Sequence, residues 1–166
     1  MRAPSENRLT AILLVMLACL LMTTCSPAPA HAQPVAQPVT LGAHTLTWHD
    51  RGRPEGGRYE WVTPGAYLRL GDEHGGPTLG VLRNSLARWG AYAGWTWSTD
   101  ERRAVSVAFT AAGVTGYPMA PVVPLLAPSL RLRVGDQAAL RLITIPQWHP
   151  KQGASVASLA LEWELQ

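Results

Sequence analysis

SVASLALEWEL, residues 155–165, decides the fold. Its odd positions carry Leu159, Leu161, Trp163 and Leu165, and its even positions carry Ser158, Glu162 and Glu164. Successive side chains of a strand point to opposite faces, so this period of two predicts a strand with one apolar and one polar face. VSVAFTA (105–111) keeps the same period with its odd positions the more apolar, and LRLRV (130–134) keeps it with its even positions apolar. No segment offers a convincing amphipathic helix, so an all-β chain is expected.

Eight strands are predicted, near 43–51, 59–70, 77–84, 88–97, 103–113, 122–133, 137–146 and 154–165. The connections RGRPEGG, GDEHGG, STDERR, RVGD and QWHPKQG are rich in the residues that turn a chain. Several strands pair an apolar face with one carrying Arg69, Arg131, Arg133, Arg141 or Glu162. In a soluble sheet that polar face looks out to water, whereas in a membrane barrel it looks into the lumen. Alternation alone does not choose. Tryptophan does: the chain has seven Trp against one Phe, and Trp48, Trp89, Trp97, Trp148 and Trp163 fall at expected strand ends. Membrane barrels carry such aromatic girdles, with strands of about 9–11 residues. The expectation is an eight-stranded antiparallel up-and-down outer-membrane β-barrel over 43–166. A soluble periplasmic barrel, its aromatics filling a core around an apolar ligand, is the competing reading.

The N-terminus reads as an export signal over residues 1–32. Arg2 and Arg8 give a basic start, Ala11–Met22 is an apolar run, and Ala30-His31-Ala32 is a small-x-small cleavage pattern. The run falls short of the roughly 20 apolar residues a membrane helix needs. Lipidation at Cys25 is an alternative, with Met22-Thr23-Thr24 an unusual approach to it. Both cysteines, Cys19 and Cys25, precede the cut, so the mature chain would use neither disulfides nor thiol chemistry. Residues 33–42, with Pro34 and Pro38, read as an irregular arm. The formal charge of +3 over the whole chain, without a basic helix or a run of like charges, sets nucleic acid aside.

In an up-and-down barrel the connections alternate between rims. Those after strands one, three, five and seven then share one rim, bringing together His49-Asp50-Arg51, Arg83-Asn84-Ser85, Gly116-Tyr117 and His149-Lys151. A serine acts as a nucleophile at neutral pH only beside a base, and His49 is the candidate base for Ser85. The spacing of His44, His49 and His149 gives no metal motif such as H-E-x-x-H, so no metal is expected. Prolines lie in or beside strands six and seven, at Pro121, Pro124, Pro128 and Pro146. Each removes a donor from the ladder.

LTWHD (46–50), RNS (83–85) with the following WGAYAGWTW, AFTAAGVTGY (108–117), PVVPLLAPSL (121–130) and LITIP (142–146) occur in an order and spacing that resembles the outer-membrane lipid A palmitoyltransferase (PagP) family. The similarity covers most of residues 46–165. It implies a monomeric eight-stranded barrel in the outer membrane of a Gram-negative bacterium. Such a barrel moves an acyl chain from phospholipid to lipid A without a cofactor, the chain lying inside the barrel. It implies catalytic roles at His49 and at the pair Asn84-Ser85, and a lateral gate at Pro124, Pro128 and Pro146. Arg83, Thr96 and Tyr117 are the expected substrate-binding residues: Arg83 for a phosphate headgroup, Thr96 at the floor of the acyl pocket where the family has glycine, and Tyr117 on the catalytic rim. Three departures stand out. Asn84 replaces an aspartate, no amphipathic helix precedes the barrel, and the chain ends Glu164-Leu165-Gln166 without a terminal aromatic. A catalytically silent lipid-binding or structural barrel of the same fold is the alternative that Asn84 favours.

Overall fold

The computed structural model describes residues 38–52, 58–147 and 154–165. The leader expected over 1–32, with Cys19 and Cys25, lies outside them, as do Trp148, His149 and Lys151. Eight strands follow in order: β1 (Val39–His49), β2 (Val62–Leu70), β3 (Gly75–Arg83), β4 (Trp89–Ser98), β5 (Val105–Val114), β6 (Val123–Arg133), β7 (Ala138–Ile145) and β8 (Val156–Leu165). Each pairs antiparallel with its neighbours in sequence, and β1 closes on β8, giving an eight-stranded closed barrel. Closure removes the sheet edge.

One expected boundary is corrected. Val39–Gly42 is strand and not arm, because Val39 pairs at once with Leu70 of β2 and Leu165 of β8. Both bonding edges of the chain are thus satisfied from its first strand residue.

Side chains sort cleanly by parity. Arg69, Arg131, Arg141 and Glu162 point inward and are buried, while Leu79, Val81, Trp95, Val107, Leu130, Leu142 and Leu161 point outward and are exposed. The barrel is therefore polar within and apolar without. Aromatic side chains mark both ends of the outer wall: Trp48, Trp61 and Trp89 at one, Trp97, Phe109 and Trp163 at the other.

A bulge in β1 breaks the alternation to a purpose. The register shifts between His44 and Leu46 against both neighbours, with His44 opposite Ala160 and Leu46 opposite Leu159. Thr45 is the extra residue, and its hydroxyl donates to the Leu159 carbonyl at 2.9 Å. One extra residue moves every later side chain to the other face. His44 and His49, five positions apart, consequently both point inward.

At one end the lumen is filled by charge. Glu101, from the β4–β5 turn, folds into the barrel and pairs with Arg69 and with Arg141, the latter at 2.7 Å. Glu162 accepts from Arg131 at 2.8 Å, Arg141 at 2.6 Å and the Tyr67 hydroxyl at 2.5 Å. Glu164 bridges Arg131 and Arg133, each at 2.6 Å. Buried ions are tolerated only when paired and hydrogen-bonded, as these are. Tyr67 in turn lies over Gly42, where a Cβ would come within 2.0 Å of its ring. Only glycine leaves room there.

Candidate functional site

The expected pair meets at the opposite end. His49 is the last residue of β1, and its Nε2 lies 3.1 Å from the Ser85 Oγ just beyond β3. The pair sits across the β2 approach, which is tied to both sides: Thr47 N–H donates to the Trp61 carbonyl at 2.7 Å, and Glu60 N–H donates to the Ser85 carbonyl at 3.0 Å. At 3.1 Å the imidazole can take the serine proton in its neutral, Nε2-unprotonated tautomer.

What holds His49 is an aromatic ring. Tyr59 stacks on the imidazole with centroids 4.0 Å apart and planes 15° from parallel. The adjacent Asp50 is turned away: its carboxylate accepts from Ser155 N–H at 2.9 Å and pairs with Arg51 at 3.4 Å. Slight desolvation raises its pKa, but bonds from Arg51 and Ser155 outweigh this and hold the carboxyl below the usual range. Tyr117, in the β5–β6 loop, lines the same mouth, and burial with Tyr59 nearby raises its phenol above the ordinary range. Tyr59 escaped the sequence reading because it follows a glycine-rich connection and has no periodic signature.

Asn84 is buried and spends its side chain on shaping the turn. Its Oδ1 accepts from Leu86 N–H at 3.0 Å and Arg88 N–H at 3.1 Å, and its Nδ2 donates to the Gly116 carbonyl at 3.1 Å. Its carbonyl accepts from Ala87 N–H at 2.9 Å, and Ala87 takes φ of +61° to close the knot. An alanine there carries backbone strain of about 1–2 kcal/mol. Gly116, with φ of +88°, presents its carbonyl to Asn84 from the next loop of the rim. Asn84 is therefore a positioning residue for Ser85, and the structure shows no hydrogen bond between it and His49.

Behind the pair lies a cavity of about 130 Å³. Leu82, Val114, Leu125, Ile143, Ile145 and Val156 form an apolar wall, while His44, Thr47, Thr63 and Ser158 make a polar one on β1, β2 and β8. Thr96 is buried at the far end of the cavity, its hydroxyl bridging Thr78 at 2.9 Å and Thr110 at 2.8 Å. Arg83 does not enter the lumen. It belongs to the outward parity of β3, opposite Trp89 in register, at the same rim.

Pro124 and Pro128 lie where the β6–β7 ladder has ended. The β6–β7 ladder runs from Arg133↔Ala139 only as far as Ser129↔Ile143, whereas β6 continues to pair with β5 up to Val123↔Val114. The Pro128 carbonyl points toward β7, accepting from the Thr144 hydroxyl at 3.1 Å. Bonding direction alternates along a strand, so the nitrogens of Pro128 and Pro124 also face β7 and have no hydrogen to give it. Pro146 follows the last residue of β7.

Fold and site together define a closed eight-stranded barrel with an apolar exterior, a lumen stopped by ions at one end, and a histidine–serine pair at the other. No protein-family model matches the chain, and it matches no curated protein.

Proposed function

We propose that this barrel spans an outer membrane and transfers an acyl chain from a phospholipid to lipid A, with Ser85 and His49 as the reacting pair. The observation that carries this reading is the 3.1 Å contact between the two at the mouth of a cavity with an apolar wall. His49 takes the Ser85 proton as Oγ adds to the donor ester carbonyl. The lysophospholipid alcohol leaves with that proton, and the acyl group remains as an ester on Ser85. A lipid A hydroxyl then attacks the ester, its proton passing to His49 and back to Ser85.

The membrane reading is supported by the outer wall. Leaving so many large apolar side chains in water would be costly for a soluble barrel. Trp89 and Trp97 bracket the exposed part of β4. At about 3.3 Å per residue and a tilt near 40° they stand about 20 Å apart across the membrane, close to the apolar band of such barrels. Arg83, outward at the rim among Trp48, Trp61 and Trp89, is suited to a lipid phosphate. The shortened β6–β7 ladder beside Pro124, Pro128 and Pro146 supports a lateral gate for the acyl chain.

A silent lipid-binding barrel is the second reading, favoured by the absence of a carboxylate hydrogen-bonded to His49 among the described residues. Mass spectrometry of lipid A decides between them, in a host lacking its own palmitoyltransferase and expressing wild type or Ser85→Ala. An added acyl mass lost on substitution supports transfer. Unmodified lipid A, with folded barrel in the outer membrane, supports the silent barrel.

A further inference from the structure

His44 lies deeper in the lumen than the reacting pair and has no part in the chemistry above. Its Nε2 is hydrogen-bonded to the Tyr92 hydroxyl at 2.9 Å. Its ring is fixed against Tyr67, at 5.1 Å between centroids, and edge-on to Tyr92 at 5.8 Å. Among the described residues no hydrogen bond reaches its Nδ1, and His44 lines the cavity without being a sealed, unsatisfied group. One ring nitrogen is thus pinned to the wall and the other is offered to whatever fills the lumen.

The polar wall continues from His49 down to His44. The Thr47 hydroxyl bonds those of Thr63 at 2.6 Å and Ser158 at 3.1 Å, forming a band between the two histidines. Across the barrel, β5 to β7 line the cavity with Val114, Leu125 and Ile143, and their polar residues Thr110 and Arg141 are already bonded to Thr96 and to Glu101 and Glu162. A plain hydrocarbon chain would satisfy the second wall and leave the first unused. In an apolar chamber, a donor or acceptor left without a partner costs more than the bond it could make.

We infer that the lumen selects an acyl chain bearing a hydrogen-bonding group, a hydroxyl foremost, in its distal half, held by His44. This rests on the reading that the lumen takes an acyl chain. Its depth follows from the register: His49 lies opposite Val156 and His44 opposite Ala160. Four residues at about 3.3 Å each put His44 about 13 Å along the strand from the reacting pair. That is the reach of a medium-length chain with its carbonyl at Ser85. The hydroxyl can donate to Nδ1 or accept from it, because the Tyr92 hydroxyl accommodates either tautomer.

The test is competition between a fluorescent fatty-acid probe and decanoic acid or its monohydroxy isomers, on the full chain reconstituted in lipid vesicles. Folding of each variant is checked by migration of the unheated protein on a gel. One isomer hydroxylated in its distal half should displace the probe at roughly five- to tenfold lower concentration than decanoic acid, the worth of one net hydrogen bond. His44→Phe should abolish that advantage, so that the isomer competes no better than decanoic acid does on the same variant, and His44→Gln should restore part of it. The inference is overturned if decanoic acid competes as well as every isomer, or if the advantage survives His44→Phe. Binding of decanoic acid without any preference overturns this inference alone. Failure of every acid to displace the probe overturns the acyl-chain reading of the lumen as well.

Discussion

The imidazole of His49 lies flat on the ring of Tyr59, 4.0 Å between centroids and 15° from parallel. Stacking fixes the plane of the base without stabilising its charge as an anion would. Such contacts are worth about 0.5–1.5 kcal/mol. Tyr59→Ala should therefore lower the transfer rate by up to about tenfold with the barrel intact, and Tyr59→Phe should retain most of it. Rates of lipid A acylation in purified membranes check this proposal; a Tyr59→Ala variant with an unchanged rate would remove the ring from the site.

If Ser85 and His49 act as one unit, their losses do not add. Ser85→Ala and His49→Phe should each reduce transfer by at least about 10²-fold, and the double variant should be no slower than either. The wild-type rate should fall on the acid side, because only neutral imidazole accepts the serine proton. Multiplicative losses in the double variant would mean that the two residues serve separate steps.

Asn84→Asp introduces the aspartate that the resemblance to lipid A palmitoyltransferases implies, yet it should not improve this chain. The donor to the Gly116 carbonyl disappears, and a buried carboxylate is set against that oxygen. A destabilisation of about 1–3 kcal/mol is expected, with no gain in transfer. Thermal unfolding of the vesicle-embedded barrel measures the first quantity, and a raised rate with unchanged stability would reverse the assignment of Asn84 as a positioning residue.

Thr96→Gly removes the side chain that bridges Thr78 and Thr110 at the end of the cavity. The chamber deepens, and the preferred acyl chain should lengthen toward palmitate. Selectivity across a series of phosphatidylcholines of graded chain length reads this directly, and an unchanged profile would place the floor elsewhere.

Strand count and the two-faced wall were legible in the sequence because barrel closure imposes one rule, alternation, on every strand. SVASLALEWEL and LRLRV obey it to the residue. The meeting of His49 with Ser85 was legible as a shared rim, since connections of an up-and-down barrel must alternate ends. Three things were not. Thr45 adds a residue without any change of composition, so strict alternation along HTLTWH sets His44 and His49 on opposite faces; only the register against Leu159 and Ala160 shows otherwise. Glu101 sits in STDERR, which reads as a solvated turn, and enters the lumen because Arg69, Arg131 and Arg141 need its charge. Tyr59 stands at the start of the strand expected over 59–70 but precedes β2, which begins at Val62, and a stacking partner has no spacing to betray it.

The ion-paired end of the lumen turns the barrel from a pipe into a test tube. Whatever enters past Tyr117 or between β6 and β7 must go out through that same half, since Arg131, Arg141 and Glu162 close the way beneath. Two long chains cannot pass each other in so narrow a vessel. If the lumen takes acyl chains as proposed, a spent tail and its successor must therefore take turns, and traffic through this half of the barrel sets an upper bound on turnover independent of the speed of the bond-making step.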